Sequence, residues 1–374
     1  MRFKFWLLAV LPPVFGILLI GSLVFGRNIF SSGLPTFTLL PAPVSGPAPA
    51  SEVAAPTIDS PMPIGQLAES NETVSRNFTW AYRGRWAWEM KLPVALYDYY
   101  RSLPRPPTRN YSVYVTNPLD DSYIAELAGK LSANAKKARF NDTQTVEFAA
   151  AFVQSLPYTV DNVTTGFDEY PRYPLETLVD NGGDCEDTAI LLGALLNEMG
   201  YDVILINPPG HFAVGVKDTG NLTGVSWEYN GTKYYYMETT GNNWRLGVIP
   251  DTYKNTTANL FPLVPVPIVT HSGNFSSDNG LTNVVLKVSN LGTAEAGNVT
   301  LLVGFDAGNG MLWNAAKSQS FSLGPDRETS VRLQLIIPPH EHTRLMVQVM
   351  IDGVLADESR SAWFETNQKF QARN

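Results

Sequence analysis

One short stretch decides the fold of this chain: Gly182-Gly183-Asp184-Cys185-Glu186-Asp187, directly followed by a run of apolar residues. In that run, apolar side chains recur at the spacing of a helix, at Ala189, Leu192, Leu196 and Met199. Gly200 then ends the run, as a glycine commonly does after the last turn of a helix. Asp184 is a good N-cap, and Asp187, three residues later, gives an acidic variant of the capping box. The pattern therefore predicts a helix over residues 185–199 whose first residue is the cysteine.

The chain contains one cysteine, so it forms no internal disulfide and no cysteine-based zinc cluster. In the first turn of a helix the backbone N–H groups and the helix dipole stabilise an anion, which favours a thiolate at Cys185. The flanking carboxylates of Asp184 and Glu186 act the other way, so a cationic partner or a bound metal ion is needed to offset them. The alternative is that Cys185 is a small buried apolar side chain without a chemical role.

Two further residues complete a pattern for nucleophilic catalysis. His211 opens a predicted strand over residues 211–216, and Glu238 ends the next strand that the alternation predicts. Cysteine, histidine and carboxylate in this order are the arrangement of a thiol nucleophile, its general base and the group that orients the base. We therefore predict that Cys185, His211 and Glu238 form a catalytic site.

These three segments resemble the core motifs of the transglutaminase-like superfamily. The matching segments are Gly-Gly-Asp-Cys-Glu-Asp, Gly-His-Phe-Ala-Val-Gly-Val and Tyr-Tyr-Tyr-Met-Glu-Thr-Thr, within about residues 140–250. The resemblance implies a papain- or transglutaminase-like core, in which the helix of Cys185 packs against an antiparallel sheet that carries His211 and Glu238. It also implies that Cys185 is the nucleophile and His211 the base. Glu238 is one methylene longer than the family's usual aspartate, which leaves the geometry of its orienting role open.

The acidic residues around the cysteine bear on a metal ion. The Asp-Cys-Glu-Asp string is similar to bacterial transglutaminase-like cysteine proteinases, some of which bind calcium through the carboxylates that flank the cysteine. The resemblance implies Ca²⁺ ligands at Asp184 and Glu186, and carboxylate oxygens suit Ca²⁺ chemically. The alternative is that Asp184 only caps the helix and that Glu186 is solvated. No other cofactor is predicted.

The N-terminal sequence predicts a membrane anchor. Residues 5–26 contain no charged side chain and are long enough to cross a bilayer as a helix. Arg2 and Lys4 precede them, which predicts a cytoplasmic N-terminus. Residues 27–70 are rich in proline and predict a semi-extended stalk. We therefore expect a single-pass protein of the cell membrane with its later domains outside the cytoplasm; the alternative is a cleaved signal peptide.

Asparagine sequons support an external location. Ten N-x-S/T sequons lie beyond residue 26, at Asn71, Asn77, Asn110, Asn141, Asn162, Asn221, Asn230, Asn255, Asn274 and Asn298. Such sites accept N-linked glycans in an exported chain, so N-glycans are a predicted modification. The alternative is a composition rich in Asn and Thr that carries no glycan.

The remaining sequence predicts two domains. Residues 71–262 combine aromatic strands with helices near residues 120–137 and 143–156, and they form the predicted transglutaminase-like domain. Residues 265–366 contain short alternating strands separated by turn signals, which is typical of an Ig-like β-sandwich. The predicted fold class is therefore α+β, with the sandwich and an N-terminal transmembrane helix added to the core.

The composition argues against nucleic acid as the main partner. The 374 residues carry a formal net charge of −8, whereas nucleic-acid binding usually needs a basic surface.

Weaker site candidates remain. Residues 168–174 either line the substrate cleft or are an ordinary loop rich in aromatic residues and proline. The others are Trp244 and Arg245 after Glu238, His340-Glu341-His342 as a surface loop that only looks like a metal fragment, and His271 without a visible partner.

The sequence thus predicts a thiol enzyme that acts on protein or peptide substrates at the cell surface. Cys185 forms a thioester with the substrate, His211 is the base and Glu238 orients it. Water then hydrolyses the thioester, which is the preferred interpretation, or an amine displaces it in a transfer reaction. The alternatives are a catalytically inactive transglutaminase-like binding protein and a structural protein of the cell surface.

Overall fold

The computed structural model describes residues 57–59, 71–105, 108–161, 169–218, 220 and 222–366. Within these ranges the helices are α1 (Val94–Ser102), α2 (Ser112–Val115), α3 (Asp121–Lys137), α4 (Asp142–Gln154), α5 (Pro174–Asp180) and α6 (Cys185–Glu198), with 3-10 helices at Pro118–Asp120 and Asp251–Tyr253. The first eight strands are β1 (Thr57–Asp59), β2 (Thr73–Ala81), β3 (Arg85–Pro93), β4 (Val203–Asn207), β5 (Ala213–Lys217), β6 (Ser226–Tyr229), β7 (Thr232–Met237) and β8 (Asn259–Pro262). The later strands are β9 (Val269–Asp278), β10 (Leu281–Asn290), β11 (Ala296–Gly308), β12 (Met311–Lys317), β13 (Phe321–Leu323), β14 (Glu328–Ile336), β15 (His342–Thr343), β16 (Leu345–Ile351), β17 (Val354–Arg360) and β18 (Phe364–Glu365).

The helix that begins at Cys185 forms the centre of the first half of the molecule. Helix α6 ends at Glu198, one residue before the predicted end, and is buried along most of its length. It packs against α3 and α4 and against strands β4 and β5. These strands belong to an antiparallel sheet with the order β6-β7-β5-β4-β8, and β2 and β3 form a separate hairpin. One continuous apolar core therefore joins α6 to the helices and to this sheet.

The second half of the molecule consists of β-sheets around a core of their own. One sheet has the order β1-β14-β10-β9, and the other has the order β12-β11-β16-β17 with β13 also paired to β11. Strands β10 and β14 alternate buried and exposed residues, as strands with one face on a core do. Strand β1 pairs with β14 from Thr57↔Ser330 to Asp59↔Glu328, so three residues of the predicted stalk complete the edge of a sheet.

The predicted fold class, α+β with a transmembrane helix, is wrong. Strands make up 40% and helices 25% of the described residues, so the protein is mostly β. No helix in the described part of the chain is both long and apolar enough to cross a membrane. Residues 5–26, on which the sequence placed that helix, lie outside the described residues, as does most of the predicted stalk.

The excess of strand comes from segments whose sequences lack an apolar pattern. Strand β9 is mostly exposed and polar, with Ser272, Asn274 and Ser276 in its centre. Its residues are extended because their backbone groups pair with β10 along ten consecutive positions. Strand β17 is likewise half polar and pairs at the edge of the other sheet. Pairing across a sheet is a tertiary effect, so hydrophobic alternation did not predict these strands.

Candidate active site

The thiol of Cys185 is held by a neighbouring carboxylate. Cys185 Sγ lies 3.3 Å from Glu186 Oε2 and donates a hydrogen bond to it. Burial raises the pKa of the Cys185 thiol, the Glu186 carboxylate raises it further through its charge and this hydrogen bond, and Asp184 adds to the effect. The backbone N–H of Phe212 acts in the opposite direction on the pKa of the thiol. The protonated thiol is therefore the stable form in this arrangement, although the helix N-terminus alone favours a thiolate.

The imidazole of His211 is paired through one nitrogen. His211 precedes β5 and is buried, and its Nε2 lies 3.1 Å and 3.0 Å from the two carboxylate oxygens of Glu238. Asn207 Nδ2 donates a hydrogen bond of 2.8 Å to the carbonyl oxygen of His211 and fixes this turn. The ring of Tyr253 stacks on the imidazole with 4.7 Å between centroids and 2° between planes. With Nε2–H donating to the carboxylate, Nδ1 is the nitrogen that can accept a proton.

The carboxylate of Glu238 is surrounded by donors. Its Oε1 accepts hydrogen bonds from the backbone N–H of Thr239 and from the N–H and hydroxyl of Thr240, at 3.0, 2.9 and 2.7 Å. Its Oε2 accepts one from the Tyr236 hydroxyl at 2.6 Å. Burial alone would raise the pKa of Glu238, but the hydrogen bond and charge of His211, with Tyr236 and Thr240, lower it to about 2. Glu238 is therefore ionised at neutral pH, as an orienting carboxylate has to be.

The predicted catalytic residues lie in one region where α6 meets the sheet. The N–H that acts on Cys185 belongs to Phe212, the residue after His211. The hydroxyl oxygens of Thr188 on α6 and Thr239 are 2.9 Å apart and share a hydrogen bond. Thr239 in turn directly follows the orienting carboxylate residue. These contacts link the start of α6 to the segments that carry His211 and Glu238, and the catalytic role of the three side chains stays a prediction.

The predicted calcium ligands are two neighbouring carboxyl groups, Glu186 buried and Asp184 half-buried. Burial and then the hydrogen bond and charge of Glu186 raise the pKa of Asp184 to about 9, and burial raises the pKa of Glu186 to about 7. Asp184 Oδ1 is buried and has no hydrogen-bond partner among the described residues. Two carboxyl groups this close do not both ionise without a cation or a shared proton. The carboxylate oxygens of Asp184 and Glu186 therefore suit a hard cation such as Ca²⁺ as ligands.

Sequence reasoning missed a fully buried arginine beside this pair. Arg172 Nη1 forms an ion pair of 2.9 Å with Asp161 and a very short one with Asp187, and its Nε lies 2.9 Å from Asp180. Carboxylate oxygens of Asp161, Asp184 and Asp187 lie within 4.8 Å of one another, as in a metal site. The Arg172 guanidinium already supplies a positive charge to Asp161 and Asp187, which leaves Asp184 as the carboxylate open to another cation.

The lining of the substrate cleft by the loop before the cysteine stays a prediction, and most of the described part of that loop, residues 169–174, is buried. Tyr170, Arg172 and Tyr173 are buried, and residue 168 lies outside the described residues. Arg105 ion-pairs with Glu176 at 2.7 Å and lies over the ring of Tyr170, which ties the loop to the core. The only sequence signal for this role was an arginine between two tyrosine–proline pairs.

The remaining weaker candidates lie apart from this site. His271, for which no partner was predicted, places its Nδ1 2.8 Å from Asp357 and its Nε2 2.6 Å from the Ser359 hydroxyl. His342 is exposed and pairs with Glu365 at 2.7 Å, and it begins strand β15, where the sequence predicted a surface loop. Trp244 and Arg245 border a cleft. Partners far away in sequence, such as the one that His271 finds, give no local signal.

Comparison with known proteins gives only distant similarity. The chain matches no protein-family profile and no curated protein. Among solved structures, EGTA-treated LapG from Legionella pneumophila, a transglutaminase-like cysteine protease, is 18% identical, with 38% of this chain and 81% of that chain covered and a TM-score of 0.28. The CARDB domain of the PF1109 protein from Pyrococcus furiosus, in complex with di-metal ions, is 19% identical. The match covers 28% of this chain and 87% of that chain, with a TM-score of 0.21.

Red sea bream transglutaminase is 10% identical, with 78% of this chain and 62% of that chain covered and a TM-score of 0.24. At these identities and TM-scores the similarities are loose. They establish neither the family nor an activity, and the chain is similar to a transglutaminase-like cysteine protease only in this distant sense.

Proposed function

We propose that the protein is a thiol hydrolase of peptide or isopeptide amides. The observation that carries the proposal is the pairing of His211 Nε2 with an ionised, fully hydrogen-bonded Glu238, which leaves Nδ1 to accept the thiol proton. Cys185 Sγ then attacks the amide carbonyl carbon and the C–N bond breaks. The leaving amine takes the proton from His211, and water releases the acid from the thioester and restores the thiol. An amine in place of water would give transfer instead.

A second candidate is a catalytically inactive binding protein. The hydrogen bond from Cys185 to Glu186 favours it, because a thiol held by a carboxylate is a poor nucleophile. The two candidates differ in one measurable property, which is whether the reactivity of Cys185 depends on His211.

Iodoacetamide tests this dependence directly. In the presence of calcium chloride at pH 7, we expect wild-type Cys185 to be alkylated at least about tenfold faster than a model thiol of pKa about 8.5. His211→Ala should lose that advantage, whereas His342→Ala, which removes an exposed imidazole from the sandwich, should keep it. The rates are measured by mass spectrometry of the peptide that contains Cys185. Equal rates for wild type and His211→Ala would support the binding protein and contradict the enzyme.

Calcium at Asp184 and Glu186 is the companion proposal. A bound divalent cation would supply the positive charge that this carboxylate pair lacks. It would also compete with the thiol for Glu186, which accepts the Cys185 hydrogen bond. The buried, unpartnered Asp184 Oδ1 supports the proposal because such an atom is costly unless it binds something.

Melting temperature measures this binding without any substrate. A ligand that binds only the folded state stabilises it by about 2.7 kcal/mol at a hundredfold excess over its Kd. We therefore expect calcium chloride to raise the melting temperature and a chelator to reverse the rise. Asp184→Asn keeps an N-cap side chain but removes a charge, and should abolish the response. Asp202→Asn, at an exposed site, should leave it intact. A melting temperature that is the same with calcium and with chelator contradicts this site.

A further inference from the structure

The cleft that Trp244 and Arg245 border is lined by a loop that begins four residues after Glu238 in the chain. It has a volume of about 270 Å³ and is bordered by the end of β2, one face of α4 and the loop of residues 242–245. On α4 the lining residues are Glu147, Ala151 and Gln154, which are four and three residues apart and so share one face of the helix. None of the residues proposed for thiol chemistry borders it, so binding in this cleft does not depend on the proposed function.

The cleft contains a buried carboxylate that is only partly compensated. The side chain of Glu147 is 8% exposed, and its Oε2 accepts a hydrogen bond of 2.9 Å from the Tyr82 hydroxyl. The closest charge is Arg245 Nη1 at 3.7 Å from the same oxygen, which is too far for a hydrogen bond, and the Arg245 side chain is 67% exposed. An ion pair with such an exposed partner contributes little. Among the described residues, Glu147 Oε1 accepts no hydrogen bond.

The rest of the wall is also suited to a cation. Gln154 is 3% exposed and donates its Nε2 to the carbonyl oxygens of Glu238 at 2.8 Å and Trp244 at 3.4 Å. Its Oε1 is a buried acceptor without a partner in the described part of the chain. The aromatic side chains of Tyr82 and Trp244 border the same space. Carboxylate and amide oxygens between aromatic rings are the environment in which proteins bind ammonium and guanidinium groups.

We propose that this cleft binds the basic side chain of a peptide, a lysine or an arginine. The cationic end donates hydrogen bonds to Glu147 and displaces the loosely held Arg245, while the aliphatic stem lies against Ala151 and the aromatic rings. The volume is that of a pocket for one side chain rather than for a whole folded partner. The short loop between Glu238 and Trp244 connects this pocket to the strand end at the thiol site.

The test compares a charged probe with a neutral probe that has the same four side-chain carbons but lacks the ammonium group. Nα-acetyl-lysine methylamide and Nα-acetyl-norleucine methylamide are titrated into the full-length protein, and binding is followed by Trp fluorescence and by ligand-observed NMR. We expect saturable binding of the lysine probe and at least tenfold weaker binding of the norleucine probe. Glu147→Gln should weaken lysine binding at least tenfold, and Glu126→Gln, which removes an exposed carboxylate from α3, should not.

A variant that fills the cleft provides an independent test in case Glu147→Gln lowers the stability of the protein. Ala151→Leu occupies the space without changing any charge and should abolish binding of the lysine probe. Ala133→Leu, at an exposed position of α3, is its matched control and should bind as wild type does. Equal binding of the two probes, unchanged binding in Glu147→Gln or Ala151→Leu, or no saturable binding by wild type up to the solubility limit would each overturn the proposal.

Discussion

Arg172→Met should destabilise the protein by about 3–5 kcal/mol, the usual effect of removing one partner from a buried ionic network. The Arg172 side chain has no exposed surface, and its guanidinium ion-pairs with Asp161, Asp180 and Asp187. Methionine has a similar length and is apolar, so the loss of packing is small. The loss of the counter-charge is large, because Asp161 and Asp187 remain buried.

Urea unfolding, followed by fluorescence, measures this effect. Arg85→Met removes an exposed arginine from β3 of the same half of the molecule, and should change the free energy of unfolding by no more than about 0.5 kcal/mol. Arg172→Lys keeps the charge but not the planar group that reaches several carboxylates, so its stability should lie between the wild type and Arg172→Met. If Arg172→Met and Arg85→Met unfold at the same urea concentration, the network does not hold the loop before Cys185 in place.

Glu238→Gln should slow the alkylation of Cys185 at pH 7 by about 10²-fold or more, the range in which a general base contributes. The Glu238 carboxylate accepts a hydrogen bond from His211 Nε2–H, and this bond fixes the imidazole tautomer in which Nδ1 lacks a proton. The amide of glutamine can donate to Nε2 instead, which places the proton on Nδ1 and blocks transfer from the thiol. Because the two side chains are almost the same size, the packing around the strand end should change little.

Two variants separate this effect from a structural one. Glu228→Gln, at an exposed position of β6 in the same sheet, should alkylate like the wild type. Glu238→Asp restores the charge with a side chain shorter by one methylene and should recover part of the rate. An alkylation rate in Glu238→Gln equal to that of Glu228→Gln would show that the carboxylate does not orient the base.

The sequence could single out the catalytic candidates because they sit in strong local patterns. Cys185 follows a glycine pair and starts an apolar helix, and Glu238 follows a run of tyrosines that forms β7. The surroundings of the thiol were harder to predict. That Glu186 accepts the hydrogen bond of the thiol depends on side-chain orientation within one turn. The ion pairs of Arg172 gave no sequence signal, because its partners Asp161 and Asp187 lie on other segments.

The prediction of the fold class was wrong for a related physical reason. Hydrophobic alternation identifies strands with one face on a core, such as β10 and β14. Strands at the edges are extended because of backbone pairing, and their side chains are free to be polar. Strand β1 is the clearest case, since it lies in a proline-rich stretch and pairs with β14 over three residues. Counting only patterned segments therefore underestimates the strand content.

The pairing of β1 with β14 has a practical consequence for anyone who shortens this protein. Strand β1, the first strand of the described residues, belongs to the same sheet as residues more than 250 positions later, so most of the described first half of the chain lies between two pieces of the sandwich. A version that begins at Asn71 would leave the backbone of Glu328–Ser330 unpaired at an open edge. Open edges of this kind accept strands from other molecules. Self-association of such a fragment would then reflect the missing strand and not a property of the whole protein.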